Sequence, residues 1–396
     1  MPAPAEISSR TSRPPFPRRS GIARCAAGAL LASGAVAGPL ASPASAACGD
    51  RAYNAVVQRS LTSWTASNGG STVYRGSDFR AAVQAAIDSL RPGRTAKEWV
   101  LVNGNGSMSA GSRISLRDHT GIDLCGTVNV TGSGSGDNAP IYARDVRDVE
   151  VGYLSLTGRP LYGIFMRNVQ DVVLGDIQLR VSGGLGVRID NHGNRGVRSR
   201  NIRIGQVYAS GTSSHGVETY GVDGLSIDRV TARDTGESGL LLNDTVNATV
   251  GRVDADGAGT GTGYAALRFA NRNGRIGGGY PTNIRVGSVK ARGGGRGVFC
   301  VSESGGAVID EVDIADTGSN AILLENCYNM TIAGRSGTVS GGGEIRIAGR
   351  TEFPPSRDIT LSNLTVRNTT IRWSPCTGSN IVLRNVTRQN SALHWC

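Results

Sequence analysis

Gly186-Val-Arg-Ile-Asp-Asn, Gly216-Val-Glu-Thr-Tyr-Gly, Gly239-Leu-Leu-Leu-Asn-Asp and Ala266-Leu-Arg-Phe-Ala-Asn are four versions of one phrase within residues 185–271. Each sets a small residue before broadly alternating apolar and polar residues and closes on a polar turn. That is the pattern of a short strand with one buried face.

Working outward, the Gly or Ala origins fall at Gly163, Gly186, Gly216, Gly239, Ala266, Gly297 and Ala321, at intervals of 23, 30, 23, 27, 31 and 24 residues, with a further phrase at Glu344-Ile-Arg-Ile-Ala. A minimum period of 23 with insertions of up to eight residues means one coil with loops of variable length. Each coil holds a second signature, apolar-x-apolar-Gly-x-apolar, as in Val172-Val-Leu-Gly-Asp-Ile, Ile202-Arg-Ile-Gly-Gln-Val and Ile284-Arg-Val-Gly-Ser-Val. Two short strands meeting at a Gly bend account for it. Five residues past the origin stand Asn168, Asn191, Asp244, Asn271 and Asn326. Such a row suits a stacked turn, because Asn tolerates the left-handed conformation and its amide reaches the same position one coil away. A sandwich has no such register, so the chain reads as an all-β parallel β-helix of about ten coils over residues 99–396.

Residues 47–98 read differently. Residues 48–75 suggest loop and a short strand. Asp78 then caps an amphipathic helix with Phe79, Ala82, Val83, Ala86, Ile87 and Leu90 on one face, stopped by Pro92-Gly93. This capping helix covers the open end of the apolar stack. Residues 1–46 carry the marks of an export signal: Arg18-Arg19, an apolar stretch from Ala26 to Leu40, and Ala44-Ser45-Ala46 as cleavage site. Six cysteines follow it, and an even count after a signal implies disulfides; neighbours pair as Cys48–Cys125, Cys300–Cys327 and Cys376–Cys396. The expected product is a secreted monomer with no membrane span.

The 396 residues contain 57 Gly and only 5% aromatics, which argues against a core built on large rings, and the net charge of +11 suits an anionic partner. Basic residues spread through the coils give no nucleic-acid footprint. The Gly-x-Gly runs lack a following helix, and neither CxxC nor His-rich spacing is present, so no nucleotide cofactor or zinc site is expected.

The coil pattern, the Asn row, the capping helix and the signal resemble secreted right-handed parallel β-helix proteins of the pectin-lyase-like superfamily, over residues 76 to 390. The resemblance implies a carbohydrate-active enzyme of the polygalacturonase and pectate lyase kind. Polygalacturonases carry Asn-Thr-Asp, Asp-Asp, Gly-His-Gly and Arg-Ile-Lys on successive coils. This chain has Ile189-Asp190-Asn191, Ser214-His215-Gly216 and Arg346-Ile347-Ala348 and no Asp-Asp pair, so no catalytic role transfers.

The site must come from the alternation. One and three residues past each origin the side chains are nearly all apolar and point inward, as at Val187/Ile189 and Leu240/Leu242. Positions two and four point outward. There Arg188, Asp190, Glu218, Tyr220, Asn243 and Arg268 gather on four successive coils, with His215 on the rim and the outward apolar residues Phe165, Leu241, Phe299 and Leu323 around them. Asp190, Glu218, His215 and Tyr220 are the catalytic candidates, and Arg188, Asn243, Arg268 and Glu325 the substrate-binding ones. The alternative is plain surface polarity, with Arg188–Glu218 an ordinary cross-coil ion pair. Asp244 belongs to the turn row, His192 to the loop after it, and Glu237 and Glu303 read as loop residues.

Asp190 and Glu218, roughly 8 Å apart between α-carbons, suit acid/base hydrolysis of a glycosidic bond in an acidic, pectin-like polysaccharide. An alternative is a Ca²⁺-dependent lyase, the carboxylates holding the ion and Arg268 or Tyr220 removing a proton. A third is a non-catalytic glycan-binding or adhesin-type β-helix.

Overall fold

The structure, a computed structural model, describes residues 48–396; the export signal expected at residues 1–46 lies outside the described residues. The chain winds into a parallel β-solenoid whose two sheets contain 18 and 12 strands. The stack exceeds the ten coils read from the repeats. The extra coils contribute strands such as Ile114–Ser115 and Ala392–His394, too short to spell the phrase.

The smaller sheet carries the phrases in the register the alternation requires. Arg188 pairs with Glu218, Glu218 with Leu241, Leu241 with Arg268, Arg268 with Phe299, and Phe299 with Leu323. Val187, Ile189, Val217, Leu240, Leu242, Leu267 and Phe269 fill the interior. The polar Thr219 points inward too, where its hydroxyl meets that of Thr245 at 2.9 Å.

In the larger sheet the Gly-centred signature forms continuous 12-residue strands, for example Gln170–Val181 and Ser199–Ser210. Glycine is needed at the bend because coils approach there backbone to backbone. A Cβ on Gly175 would come within 2.3 Å of the Gly152 carbonyl oxygen.

The turn row behaves as expected at Asn168, Asp244, Asn271 and Asn326, all with positive φ, but Asn191 is not among them. Asn168 donates to Asp145 one coil away at 3.0 Å. The fuller coil-to-coil ladder stands elsewhere, at the start of the larger sheet, with Asn201 on Asp171 at 2.9 Å and Asn247 on Asp223 at 2.7 Å.

The helix Phe79–Asp88 begins at Asp78, whose side chain accepts from Ala81 N–H, and it buries the predicted face. The preceding segment is more regular than expected. Ala55–Ser60, Ser63–Asn68 and Ser71–Gly76 form an antiparallel meander, and Ala55–Ser60 also pairs in parallel with Glu98–Asn103. All three expected disulfides form. Among the described residues no helix is long and apolar enough to cross a membrane.

The backbone contact at Gly175 yields a stability prediction. Gly175→Ala lowers the unfolding free energy by about 1–3 kcal/mol through overpacking. Gly261→Ala, whose added Cβ meets nothing within 4 Å, changes it by no more than about 0.5 kcal/mol. Urea denaturation of the two variants measures both.

Candidate functional site

The outward rows of the smaller sheet do not lie open. Asp190 is fully buried and Glu218 is 6% exposed. Asn243 and His215 are also buried, and Leu241, Phe299 and Leu323 join Ala265, Ala270, Val301 and Ala348 in a second apolar cluster outside the coil.

Arg188 sits at the centre. Its Nε donates to Asp190 Oδ2 at 2.8 Å and its Nη1 to Glu218 Oε2 at 2.7 Å. Asp190 also takes both prongs of Arg167, at 2.6 and 2.9 Å, and the backbone N–H of His192 at 3.2 Å. Burial opposes the charge of Asp190, but the hydrogen bonds from Arg167 and Arg188 prevail and hold its carboxyl below the ordinary range. Asp190 is thus held as a buried carboxylate with every donor supplied by protein.

Glu218 differs. It receives Arg188 on one oxygen and the Asn243 amide on the other, at 3.0 Å, and Asn243 is itself held by Asn271 at 2.8 Å. Burial, reinforced by the charges of Asp190 and Glu237, outweighs Arg188 and raises its pKa. A carboxyl raised in this way can carry a proton to a leaving group.

Glu237, read from the sequence as a loop residue, belongs to this assembly. Its Oε2 lies 3.0 Å from His215 Nε2 and accepts from the Ser214 hydroxyl. His215 Nδ1 accepts the Ser238 N–H at 3.0 Å, so the neutral ring carries its proton on Nε2 and donates to Glu237. Burial, then Arg268 and Arg188, depress His215 to about 4 against the pull of Glu237. The Tyr264 phenol is raised by a hydrogen bond to Glu237 and by burial. His215 is therefore a neutral orienting group for Glu237 at neutral pH.

Tyr220 stands on the other rim, packed edge-on against His192 with ring centroids 4.4 Å apart. His192 Nδ1 meets Arg188 Nη2 at 3.3 Å, and its Nε2 is buried with no partner among the described residues. Tyr220 also lines a cavity of about 530 Å³ with Arg198, Asp244, Arg272, Arg275 and Glu303. Arg268 lies over the Tyr264 and Phe299 rings. Glu325 is set apart, paired with Arg350 at 2.9 Å.

Asp190 and Glu218 do not fit the Ca²⁺ role considered above, because guanidinium and amide donors occupy their oxygens. Among the described residues no three His, Cys, Asp or Glu side chains converge as a metal site.

No protein-family model and no curated protein matches the chain. Two solved structures are similar. One is the A-module of the Azotobacter vinelandii mannuronan C-5 epimerase AlgE4, at 15% identity over 81% of this chain and 94% of that one, TM-score 0.48. The other is the A-module of AlgE6, a mannuronan C-5 epimerase from the same organism, at 14% identity over 81% and 96%, TM-score 0.28. The likeness is one of fold.

Two predictions follow from the charge network. Asp190→Asn leaves Arg167 and Arg188 without their shared anion and costs about 3–5 kcal/mol of stability, read by urea denaturation at pH 7. The depressed His215 binds a proton more readily unfolded than folded. Its contribution is therefore present above the ordinary value of 6.5 and is lost as pH falls toward about 4. Denaturation midpoints across that window fall less steeply in His215→Asn than in the parent chain.

Proposed function

We propose that this chain is a carbohydrate-active enzyme that hydrolyses a glycosidic bond in an acidic polysaccharide. In this reading Glu218 is the general acid and Glu237 the carboxylate that activates water or attacks directly. The observation that carries it is the placing of two interacting carboxyl groups, Glu218 and Glu237, on neighbouring coils with different partners. Glu218 is pushed toward its protonated form by burial, whereas Glu237 is held by hydroxyl and imidazole donors. Two carboxyl groups facing one cleft from neighbouring coils can divide acid and base or nucleophile roles. Asp190 then acts through Arg188, positioning it against Glu218, and Tyr264 and His215 orient Glu237.

One observation supports a second reading, proton abstraction beside a uronate carboxylate that leads to elimination or C-5 epimerisation. His192, with a free ring nitrogen next to Tyr220, and Arg268, with no ion-pair partner among the described residues, supply a proton-transfer group and a carboxylate anchor. The two Azotobacter proteins are named for C-5 epimerisation.

A panel of acidic and neutral polysaccharides separates the readings. Hydrolysis yields new reducing ends without ultraviolet-absorbing product, elimination yields that absorbance, and epimerisation yields solvent deuterium at C-5 without cleavage. Glu218→Gln and Glu237→Gln should each lower hydrolysis by about 10²–10⁴-fold with folding intact. Full activity in both variants removes the carboxylate assignment, and no turnover of any polymer leaves a glycan-binding β-helix.

A further inference from the structure

The register of the smaller sheet extends upstream of each phrase. The backbone N–H groups of Gly186, Gly216, Gly239 and Ala266 bond the carbonyls of His215, Ser238, Ala265 and Arg296. Those four residues therefore occupy one row, the wall beside the outward floor of Arg188, Glu218, Leu241 and Arg268. The wall starts at His215, inside the proposed site, and ends at Arg296.

Arg296 is only 7% exposed. Its Nε donates to Asn320 Oδ1 at 3.0 Å, and its Nη1 is buried with no partner among the described residues. The guanidinium lies 4.6 Å from the Phe299 ring centroid. Arg268 reaches the same ring from the floor, at 5.3 Å, and its Nε is likewise buried without a partner. Neither has a carboxylate within ion-pair distance among the described residues. Glu325, the acid that acts on Arg296, is taken by Arg350 at 2.9 Å. Burial lowers the pKa of both arginines.

A buried guanidinium with unpaired N–H groups is costly, and contact with a ring does not satisfy those donors. Elsewhere in the molecule the cost is met by acids, as Arg167 and Arg188 meet Asp190. Here two cations converge on one ring with no carboxylate in ion-pair distance among the described residues; Glu237 and Glu218 act on Arg268 only from farther away.

We propose that Arg268 and Arg296 form, across Phe299, a binding site for an oxyanion carried by the polysaccharide. The site lies two to three coils beyond Glu218, roughly 10–14 Å along the axis, so the anionic group sits on a sugar other than the one being cleaved. Guanidinium forks match the planar oxygens of a carboxylate, and they also accept a sulfate ester. The inference rests on the reading of this face as a polysaccharide groove. It deepens that reading by making substrate charge at a fixed distance from the reacting bond a requirement.

The test is calorimetric binding of three oligosaccharides: a uronic acid oligomer, its carboxyl-reduced neutral counterpart, and a sulfated oligomer of similar length. The parent chain, Arg296→Gln and Arg296→Lys are compared. The parent should bind an anionic oligomer at least about tenfold more tightly than the neutral one, the range of a charged hydrogen bond. Arg296→Gln should lower binding of the anionic oligomer several-fold more than binding of the neutral one, and Arg296→Lys should retain part of the preference. The arm that shows the preference identifies carboxylate or sulfate as the source. Inorganic sulfate should also raise the melting temperature of the parent more than that of Arg296→Gln, a readout that needs no sugar. Equal binding of charged and neutral oligomers by the parent, or an undiminished preference in Arg296→Gln, overturns the proposal. If no polymer is turned over but the preference is present, the hydrolytic assignment fails and this site stands.

Discussion

Everything in this molecule depends on the parallel register between successive coils. Val187, Ile189, Val217, Leu240, Leu242, Leu267 and Phe269 must all point into one narrow interior. Because side chains alternate along a strand, a slip of one residue would turn this whole set outward. The interior thus fixes the exterior. Once Val187 faces in, Arg188 faces out, and the pairing of coils sets it directly against Glu218. The charged assembly is a consequence of hydrophobic register, which is why it can be dense without having to organise the fold.

That density is resolved through unequal sharing of donors. Asp190 and Glu218 stand on adjacent coils and share Arg188, yet their protonation is driven in opposite directions. Asp190 gains Arg167 from the coil below and the His192 N–H from its own turn. Glu218 has one amide, from Asn243, and looks across at Glu237. A single guanidinium cannot neutralise two buried carboxylates, so the one with fewer donors takes up the strain as a raised pKa. Glu218 is thus the carboxyl that takes up a proton more readily, and Asp190 the one held as an anion.

The floor of the site was legible in the sequence because it obeys the two-residue period that the apolar positions declare. Of the wall only His215 was legible, as a rim residue; Ser214, Glu237, Tyr264 and Arg296 were not, since they too precede the Gly or Ala from which the repeat is counted. Carrying the register upstream would have aligned Ser214, Glu237 and Tyr264 two residues before Gly216, Gly239 and Ala266. His215 and Arg296 would have fallen in the adjacent row. What no periodicity could reveal is burial. The outward rows look solvent-facing in one dimension, but Leu241, Phe299 and Leu323 are covered together with Ala265, which comes from the segment upstream of a neighbouring strand. The antiparallel meander over residues 55–76 was missed for a different reason. Its strands are rich in Ser and Thr, and their alternation is confined to the buried pairs Ala55/Val57 and Trp64/Ala66, too short to stand out beside the coils.

The two rows also divide the groove along its length. Near Arg188 the guanidinium groups are matched by carboxyl groups: Arg167 bonds Asp190, and Arg188 bonds both Asp190 and Glu218. Three to four coils further on, Arg268 and Arg296 stand over Phe299 with no such partners among the described residues, and Glu325 beyond them is already bound to Arg350. The groove is balanced at one end and cationic at the other. Buried charge is strongly felt over such distances because little water intervenes to screen it. Under the proposed reading, an anionic chain lying along the axis meets an electrical asymmetry that a neutral chain does not, and that asymmetry would select both the sign of its substituents and the direction in which it lies.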